Sequence, residues 1–256
     1  MHSDAKVREV FELRSDGLIQ RDIAGRTGVS LGQVRKWLCA GEEAVLAGPM
    51  RAEHITHDER GCSLVTQLQP DPYAYVLGQY LGDGCLVRMR RDVFKLAITT
   101  CDDYPQIRQE CIDAVRAVMP GRSVGLAAKQ GAHDVYCYSK HWPCLFPQHG
   151  PGRKHLRRIE LEPWQREIAL AQAPDLFVRG LIHSDGCRSI NRVKLRGREY
   201  EYVRYFFSNR SRDIRMLFLD ACGALGVEAR HNGPFSVSVA KRYSVSVLED
   251  IIGPKT

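Results

Sequence analysis

Two aspartates, Asp83 and Asp185, could do chemistry together, because each closes the same pattern of small residue, aspartate and glycine. Each stands near the end of an apolar, helix-forming stretch, at residues 75–86 and 176–190. A carboxylate at a helix C-terminus is unfavourable by roughly 0.3–1 kcal/mol, and a second carboxylate beside it adds repulsion. A divalent cation would remove both penalties, and carboxylates with free backbone carbonyls suit Mg²⁺. The pair therefore predicts a magnesium site.

The elements that would position this pair are two helices that cross. Gly78 and Gly180 lie partway along the two stretches, and a glycine inside a helix costs about 1 kcal/mol relative to alanine. The matched glycines therefore predict helices that pack backbone to backbone. Gly84 and Gly186 follow the aspartates, at the position where a helix end favours a residue able to adopt positive φ.

The two motifs, residues 76–84 and 178–186, resemble those of the LAGLIDADG homing endonucleases in their monomeric, two-motif form. The resemblance implies that Asp83 and Asp185 are the catalytic, metal-binding pair, one for each DNA strand. It also implies two or three divalent ions, expected to be Mg²⁺, at the paired aspartates. The backbone carbonyls expected to assist in holding the metal are those of Gly82 and Ser184.

The motifs depart from the family pattern at three positions. Leu81 and His183 stand where the family has its earlier acidic residue, and Gln79 is polar within an apolar stretch. That earlier position is not the metal ligand in the family. The departures therefore concern the packing of the helices and leave the catalytic assignment in place.

The segments after each motif repeat in the same order. Polar and apolar residues alternate at 86–99, which predicts a hairpin of two strands, and helical periodicity follows at 104–118. The other matching segments are strands at 190–195 and 202–208, a helix at 212–225, and strands at 135–140 and 236–241. The predicted fold class is α/β (α+β), a pseudo-twofold duplicated αββαββα domain preceded by a small all-α domain.

Basic residues are concentrated on the hairpins and between the repeats. Val193 and Leu195 alternate with Arg192 and Lys194, so we expect one face of that hairpin to pack on helices and the other to present cations. Two such sheets would form a positively charged saddle for duplex DNA, and the alternative is a solvated sheet face. The candidate DNA contacts are Arg88, Arg90, Lys95, Arg153, Lys154, Arg188, Arg192, Lys194, Arg196, Arg198 and Arg204.

Two lysines, Lys140 and Lys241, occupy matched places in the two repeats. The resemblance implies basic side chains near the paired carboxylates, where a lysine could stabilise developing phosphoryl charge or polarise water. Both lysines are therefore candidate catalytic residues, and the alternative is that they are ordinary surface side chains.

Residues 1–40 predict three helices, at 5–14, 20–27 and 30–38, with a glycine turn between the second and third. The pattern resembles a homeodomain-like or resolvase-type helix-turn-helix, which implies that the third helix enters the major groove. The alternative is a helical domain that binds another protein. The candidate DNA contacts on the third helix are Leu31, Gln33, Arg35 and Lys36.

Four potential metal ligands lie close together after the first repeat: His141, Cys144, His149 and His155. Prolines and glycines break this segment into loop, and the spacing matches no standard zinc finger. Three earlier residues are also too loosely spaced and are assigned to the linker: His54, His57 and Cys62. We therefore expect no zinc.

The composition limits the class of protein. The 256 residues carry a formal net charge of +7 and give a pI near 9.0, which favours a polyanionic partner. Nine cysteines without a C-x-x-C pair indicate reduced thiols and no disulfides. The polar N-terminal segment lacks the apolar run of a signal peptide, and no stretch reaches ~18 apolar residues. We expect an intracellular, cytoplasmic protein with no membrane partner.

The expected organisation is a helix-turn-helix domain at 1–40, a linker at 41–71 and the duplicated domain at 72–256. The repeats would span about 72–146 and 174–256, with a connector at 147–173. With the resemblance, this predicts a monomeric, site-specific endonuclease that hydrolyses a long, weakly palindromic double-stranded DNA target with a divalent metal. Two alternatives stay open: a non-cleaving transcription regulator on the same scaffold, and a maturase that assists intron splicing.

Overall fold

The chain divides into two units, residues 1–54 and 55–256. Three helices form the N-terminal unit. The computed structural model describes residues 4–42, 57–58, 61–195 and 197–253. The helices of the first unit are α1 (Asp4–Ser15), α2 (Gln20–Thr27) and α3 (Leu31–Ala40). They enclose a small apolar core whose buried members are Val7, Val10, Ile23, Val29, Val34 and Trp37. These helices lie where the apolar periodicity predicts them.

The turn between α2 and α3 is defined by two caps. Gly28 ends α2 with a φ of 68°, in the left-handed region that favours glycine, and its N–H donates to the Ala24 carbonyl oxygen. The Ser30 hydroxyl begins α3 by accepting a hydrogen bond from the Gln33 N–H at 3.3 Å. The two caps fix where one helix ends and the next begins.

The second unit opens with a short antiparallel pair, β1 (His57–Asp58) and β2 (Gly61–Cys62), and a helical turn, α4 (Ser63–Thr66). The first repeat then consists of α5 (Pro70–Gly82), β3 (Gly84–Arg88), β4 (Phe94–Cys101), α6 (Pro105–Val118), β5 (Val124–Lys129), β6 (Ala132–Ser139) and α7 (Trp142–Leu145). Proline at the start of α5 and α6 favours helix initiation, because its fixed φ is already helical.

The second repeat is preceded by α8 (Pro163–Glu167), which runs into a π-helical turn at Ile168–Gln172. Its elements are α9 (Pro174–Asp185), β7 (Gly186–Leu195), β8 (Arg198–Ser208), α10 (Arg212–Ala224), β9 (Ala229–His231), β10 (Ser236–Val239) and α11 (Arg242–Ile252). Each repeat forms a four-stranded antiparallel sheet, of order β3-β4-β6-β5 or β7-β8-β10-β9. The duplicated αββαββα order predicted from the sequence is confirmed.

The helix α5 lies at the centre of the second unit, because its residues are apolar on nearly every side. All nine residues from Tyr73 to Leu81 are buried, as expected for a helix surrounded by other elements. Its counterpart α9 buries Phe177, Val178, Leu181 and Ile182, and the two helices share one apolar core with both sheets. No helix in the described part of the chain is both long and apolar enough to span a membrane.

Polar side chains within the helix packing form a network. The Tyr75 hydroxyl accepts a hydrogen bond from Gln79 Nε2 at 2.9 Å and lies 3.0 Å from His183 Nδ1. Arg179 of α9 binds the Glu110 carboxylate of α6 through two nitrogen–oxygen contacts, at 2.6 and 2.9 Å. Because buried polar groups need partners, this network explains how the two departures at Gln79 and His183 fit between packed helices.

Candidate active site

The contact between α5 and α9 depends on glycine. A Cβ atom added to Gly78 would lie 2.7 Å from the Phe177 carbonyl oxygen and 2.8 Å from the Leu181 nitrogen. A Cβ atom added to Gly180 would lie 3.1 Å from the Gly78 Cα atom and closer still to the Tyr75 carbonyl oxygen. Backbone atoms already occupy the space that a side chain would need, so glycine is what allows the helices to approach this closely.

This close packing brings the two aspartates to one place. Asp83 follows α5, and its N–H donates to the Gln79 carbonyl oxygen at 3.0 Å. Asp185 is the last residue of α9, and its Oδ2 atom lies 3.2 Å from the position that a Gly82 Cβ atom would take. The Asp185 carboxylate is thus beside the C-terminal end of the opposite helix. Asp83 is exposed and Asp185 is half-buried, so solvent reaches both.

The glycines that follow the aspartates serve a purpose different from the expected one. Gly186 has a φ of −108°, and Gly84 is likewise outside the positive-φ region. A Cβ atom at Gly84 would lie 2.5 Å from the Tyr80 Cα atom, and one at Gly186 would lie 2.7 Å from the Ile182 Cα atom. The expectation of positive φ is wrong. Glycine is required here because the backbone passes directly against the last turn of each helix as the chain leaves it.

Asn209, which the sequence reasoning missed, holds the Asp185 carboxylate. Its Nδ2 atom donates to Asp185 Oδ2 at 2.6 Å. Asn209 is itself held, because its Oδ1 accepts from the Ser211 N–H at 2.8 Å and its carbonyl oxygen accepts from Arg215 at 2.5 Å. It follows β8, 24 residues after Asp185, and no motif or periodicity marks that position.

Lys154 enters the site from the segment between the repeats. Its ammonium group donates to the carbonyl oxygens of Leu81 and Gly82, at 3.0 and 2.8 Å, and to that of Tyr80. The last carbonyls of a helix lack partners within the helix and carry partial negative charge. Lys154 therefore caps the C-terminal end of α5. These contacts hold the Lys154 ammonium group at the end of α5, and its contact with DNA phosphates stays a prediction.

The charge of Lys154 is coupled to both aspartates. Burial lowers the pKa of Lys154 to about 8, and the carboxylates of Asp185 and Asp83 oppose that shift by favouring the charged ammonium. One cation thus interacts with both carboxylates, which places all three groups at a common centre. Below pH 8 the Lys154 side chain carries its positive charge beside the two aspartates.

The donor set of this centre suits a divalent ion. Carboxylates from two different helices, both accessible to solvent, are hard oxygen donors of the kind that Mg²⁺ and Ca²⁺ prefer. The Gly82 carbonyl oxygen, expected as a further ligand, accepts the hydrogen bond from Lys154. The Ser184 hydroxyl donates to the carbonyl oxygens of Gly180 and Leu181 in its own helix. The side chains that fit a metal ion are therefore the two aspartates.

The two matched lysines lie near other acidic groups. Lys241 immediately precedes α11 and pairs with Glu228. A hydrogen bond from Arg88 lowers the pKa of Asp92, and the charge of Lys140 contributes to the same shift. The structure thus brings Lys154 to the aspartates, while it pairs Lys241 elsewhere and places Lys140 near the first hairpin turn.

The β7–β8 hairpin presents its basic residues differently from the expectation. The register pairs Arg188 with Tyr205, which is buried on the side of the sheet that faces the helices. Side chains alternate along a strand, so Arg192 and Lys194 share this helix-side face with Arg188. The expected row of cations on the opposite, outer face is therefore wrong for Arg192 and Lys194.

Acidic side chains accompany the cations of the helix-side face. Arg188 pairs with Glu249 of α11, and Arg192 pairs with Glu201 of β8, each at 2.8 Å. Lys194 stands opposite Glu199 in the register. This face is consequently close to neutral along the second hairpin.

The outer face of the second hairpin carries a different set of residues. Arg198 and Arg204 lie on it, because they alternate with the helix-side residues of β8. Two exposed tyrosines, Tyr200 and Tyr202, are stacked between them with ring centroids 6.4 Å apart. The outer face of this hairpin thus combines arginine and tyrosine side chains in a mixed cationic and aromatic surface.

In the first repeat, the alternation of side chains along each strand places the candidate residues on different faces of the sheet. Lys95 lies on the outer face, where its ammonium is 4.7 Å from the centre of the Tyr136 ring. Arg88 lies on the helix-side face and pairs with Asp92 at 2.5 Å. Arg90 belongs to the 3₁₀ turn Arg90–Asp92 that joins β3 and β4.

The remaining candidates are distributed as follows. On α3, Arg35 and Lys36 are exposed, whereas Leu31 and Gln33 are half-buried. Arg153 is exposed, directly before Lys154. The position of Arg196 lies outside the described residues.

Similar proteins are found by structure. A scan of the sequence against models of protein families gives no match, and neither does a search of curated proteins. The structure of I-DmoI in complex with DNA and Mn is 13% identical, with a TM-score of 0.46, and the match covers 72% of this chain and 98% of that chain.

Two further structures show the same likeness. Mesophilic variants of the homing endonuclease I-DmoI are 14% identical over 75% of this chain and 98% of that chain, with a TM-score of 0.44. The N-terminal LAGLIDADG domain of DUF199/WhiA is 10% identical over 72% of this chain and 82% of that chain, with a TM-score of 0.47. All three matches have identities of 10–14% and TM-scores of 0.44–0.47, so the assignment of a function depends on the residues of this chain.

Proposed function

We propose that this protein is a metal-dependent DNA endonuclease of the kind that the two motifs imply. The observation that carries the proposal is the delivery of two carboxylates, Asp83 and Asp185, by paired helices to one solvent-accessible centre. Each aspartate comes from a different repeat. A pseudo-twofold pair of acids is suited to a duplex, whose two strands are related by a similar symmetry.

Each residue of the centre would have a distinct role in hydrolysis. Asp83 and Asp185 would hold divalent metal, which supplies charge neutralisation at the scissile phosphate and an activated water. Asn209 would keep the Asp185 carboxylate in one orientation through its 2.6 Å hydrogen bond. Lys154 would hold a positive charge beside both carboxylates, where it can stabilise negative charge that develops on phosphoryl oxygens.

The outer faces of the two sheets would bind the DNA. Their cations Lys95, Arg198 and Arg204 are suited to phosphates, which fix the register of a protein on a duplex. The exposed hydroxyls of Tyr200 and Tyr202 are suited to base edges in the major groove. We propose a monomer that follows a long, weakly palindromic target with its two repeats.

The first unit would add a second contact with the same duplex. Arg35 and Lys36 on the exposed side of α3 provide the charge for a helix that enters the major groove. Ser30 and Gly28 fix the start of that helix and the turn before it. The unit would extend the recognised sequence beyond the part read by the sheets.

The proposal is tested by exchanging each aspartate for asparagine and incubating the protein with Mg²⁺ and a randomised duplex library. Asp83→Asn and Asp185→Asn should keep DNA binding and lose double-strand cleavage, because asparagine keeps the shape but removes the charge. Matched controls are Asp71→Asn and Asp175→Asn, which alter the acidic residues in the first turns of the same two helices. The controls should cleave like the wild type, and unchanged cleavage by either motif variant would refute the assignment.

One observation favours a second candidate function, a DNA-binding regulator that does not cut. Lys154 already donates to the Gly82 carbonyl oxygen and supplies positive charge beside the aspartates, so the protein itself offsets part of the repulsion between the two carboxylates. In that case the library would be enriched in a preferred sequence without cut ends. The same experiment therefore separates the two candidates.

A further inference from the structure

Three potential metal ligands form a cluster that includes no residue of the aspartate site. Cys62, His141 and Cys144 each offer one ligand atom, and these atoms all lie within 4.8 Å of one another. The Cys62 Sγ and His141 Nδ1 atoms are 3.5 Å apart. Cys62 is buried and the other two residues are half-buried, so the cluster lies at the edge of the core.

The spacing of this cluster matches the edge of a zinc tetrahedron. With Zn–S bonds of about 2.3 Å and Zn–N bonds of about 2.0–2.1 Å, a tetrahedral angle places sulfur about 3.5 Å from nitrogen. The observed separation of 3.5 Å between Cys62 Sγ and His141 Nδ1 agrees with that value. Two thiolates and an imidazole are also the soft and borderline ligands that select zinc over magnesium or calcium.

Local structure holds two of the ligands in place. His141 immediately precedes the short helix α7, and the Cys144 N–H donates to the His141 carbonyl oxygen at 3.0 Å, so one turn presents both side chains. Trp142 anchors this turn, because it is fully buried and its Nε1 donates to the Cys137 carbonyl oxygen at 3.0 Å. The ligands are therefore carried by a rigid element, as a metal site requires.

The third ligand comes from the segment that opens the second unit. Cys62 ends β2 and precedes α4, 79 residues before His141. The β1–β2 pair fixes the backbone of Cys62, which stands opposite His57 in the register.

We propose that Cys62, His141 and Cys144 form a structural zinc site that fastens the β1–β2 segment to the end of the first repeat. This inference is independent of the proposed nuclease function. It also revises the expectation of no zinc, which judged two stretches separately: His54, His57 and Cys62 in the linker, and His141, Cys144, His149 and His155 after the first repeat. Of the second stretch only His141 and Cys144 join the cluster, while His149 packs against Phe94 with ring centroids 6.0 Å apart.

The test is the zinc content of the full chain, purified under reducing conditions without chelator and reconstituted with one equivalent of zinc. We expect one tightly held zinc per chain after dialysis. Cobalt in place of zinc should give the intense visible absorption of a tetrahedral site and a thiolate charge-transfer band in the near ultraviolet. Removing the metal with a chelator should lower the melting temperature, because a ligand that binds the folded state stabilises it.

Variants show whether these residues are the ligands. Cys62→Ser and Cys144→Ser should each lose the zinc, whereas the matched controls Cys101→Ser and His149→Ala should keep one equivalent. Cobalt spectra of the wild type make the test independent of how well the variants fold. The proposal is overturned by a wild-type protein that holds no zinc after reconstitution, by octahedral cobalt without thiolate bands, or by a Cys62–Cys144 disulfide found by mass spectrometry in the freshly purified protein.

Discussion

Replacing Gly78 with alanine should destabilise the second unit, because backbone atoms of α9 fill the space that the new methyl group needs. The nearest, the Phe177 carbonyl oxygen, would lie 2.7 Å from the Cβ atom, whereas ordinary contact begins at 3.4 Å. The helices would have to separate by about 0.7 Å, and overpacking of this kind costs roughly 1–3 kcal/mol. Alanine returns about 1 kcal/mol of helix propensity. A backbone carbonyl cannot rotate away, so the overpacking cost should lie in the upper part of this range, at about 2–3 kcal/mol, which leaves a net loss of about 1–2 kcal/mol.

The chain offers a matched control in α10. Gly223 is also a helical glycine, but a Cβ atom added there meets nothing within 4 Å. Gly223→Ala should therefore stabilise the protein by up to about 1 kcal/mol through helix propensity alone. The two substitutions are chemically identical, and they should change the free energy of unfolding in opposite directions.

Urea unfolding followed by tryptophan fluorescence measures both effects, since Trp142 and Trp164 lie in the second unit. If the dependence of the unfolding free energy on urea concentration is unchanged, the urea concentration at the midpoint should fall for Gly78→Ala and rise for Gly223→Ala. If Gly78→Ala unfolds at the wild-type midpoint or above it, the two backbones are not in the contact described. The convergence of Asp83 and Asp185 would then need another explanation, because the same contact sets their separation.

Three further predictions concern other parts of the molecule. In the folded protein the pKa of Lys154 is about 8, whereas its ordinary value is 10.5, so between these pH values the unfolded chain binds more protons than the folded protein. The free energy of unfolding should therefore rise with pH across this window, and it should rise less for Lys154→Met. Urea midpoints measured at several pH values test this difference. Arg204→Ala should weaken DNA binding and reduce the slope of log affinity against log salt by about 1, whereas Arg192→Ala on the helix-side face should leave the slope unchanged in a filter-binding or fluorescence titration. Ser30→Ala should lower the stability of the first unit by about 1 kcal/mol, measured by hydrogen exchange of α3 amides, and an unaltered exchange rate would contradict the cap described.

The sequence identified the parts of the site that belong to repeating patterns. Asp83 and Asp185 were visible because each closes one copy of a repeat, and the helices and strands around them follow apolar periodicity. Lys154 and Asn209 were not identified as partners of these aspartates, since Lys154 begins a short 3₁₀ turn and Asn209 follows the end of a strand, and the direction of both depends on the packed structure. A hydrogen-bond partner that arrives from a loop leaves no spacing to detect.

The strand faces show a second limit of sequence reasoning. Alternation fixes which side chains share a face, but it does not say which face is covered by helices. Val193 suggested a buried face, yet this residue is 39% exposed, and Ile190 on the opposite face is 47% exposed. Val193 lies on the outer face, and Ile190 is exposed although Tyr205 on the same helix-side face is buried. Apolar character therefore could not identify the core side at the end of this hairpin.

The contacts around the aspartates make the halves of this duplicated chain non-interchangeable. Lys154, which belongs to neither repeat, caps α5, while Asn209 from the second repeat orients Asp185. A dimer assembled from two identical copies of one half would have to do without the lysine. The segment that joins the two repeats is therefore part of the candidate site as well as the connection between them.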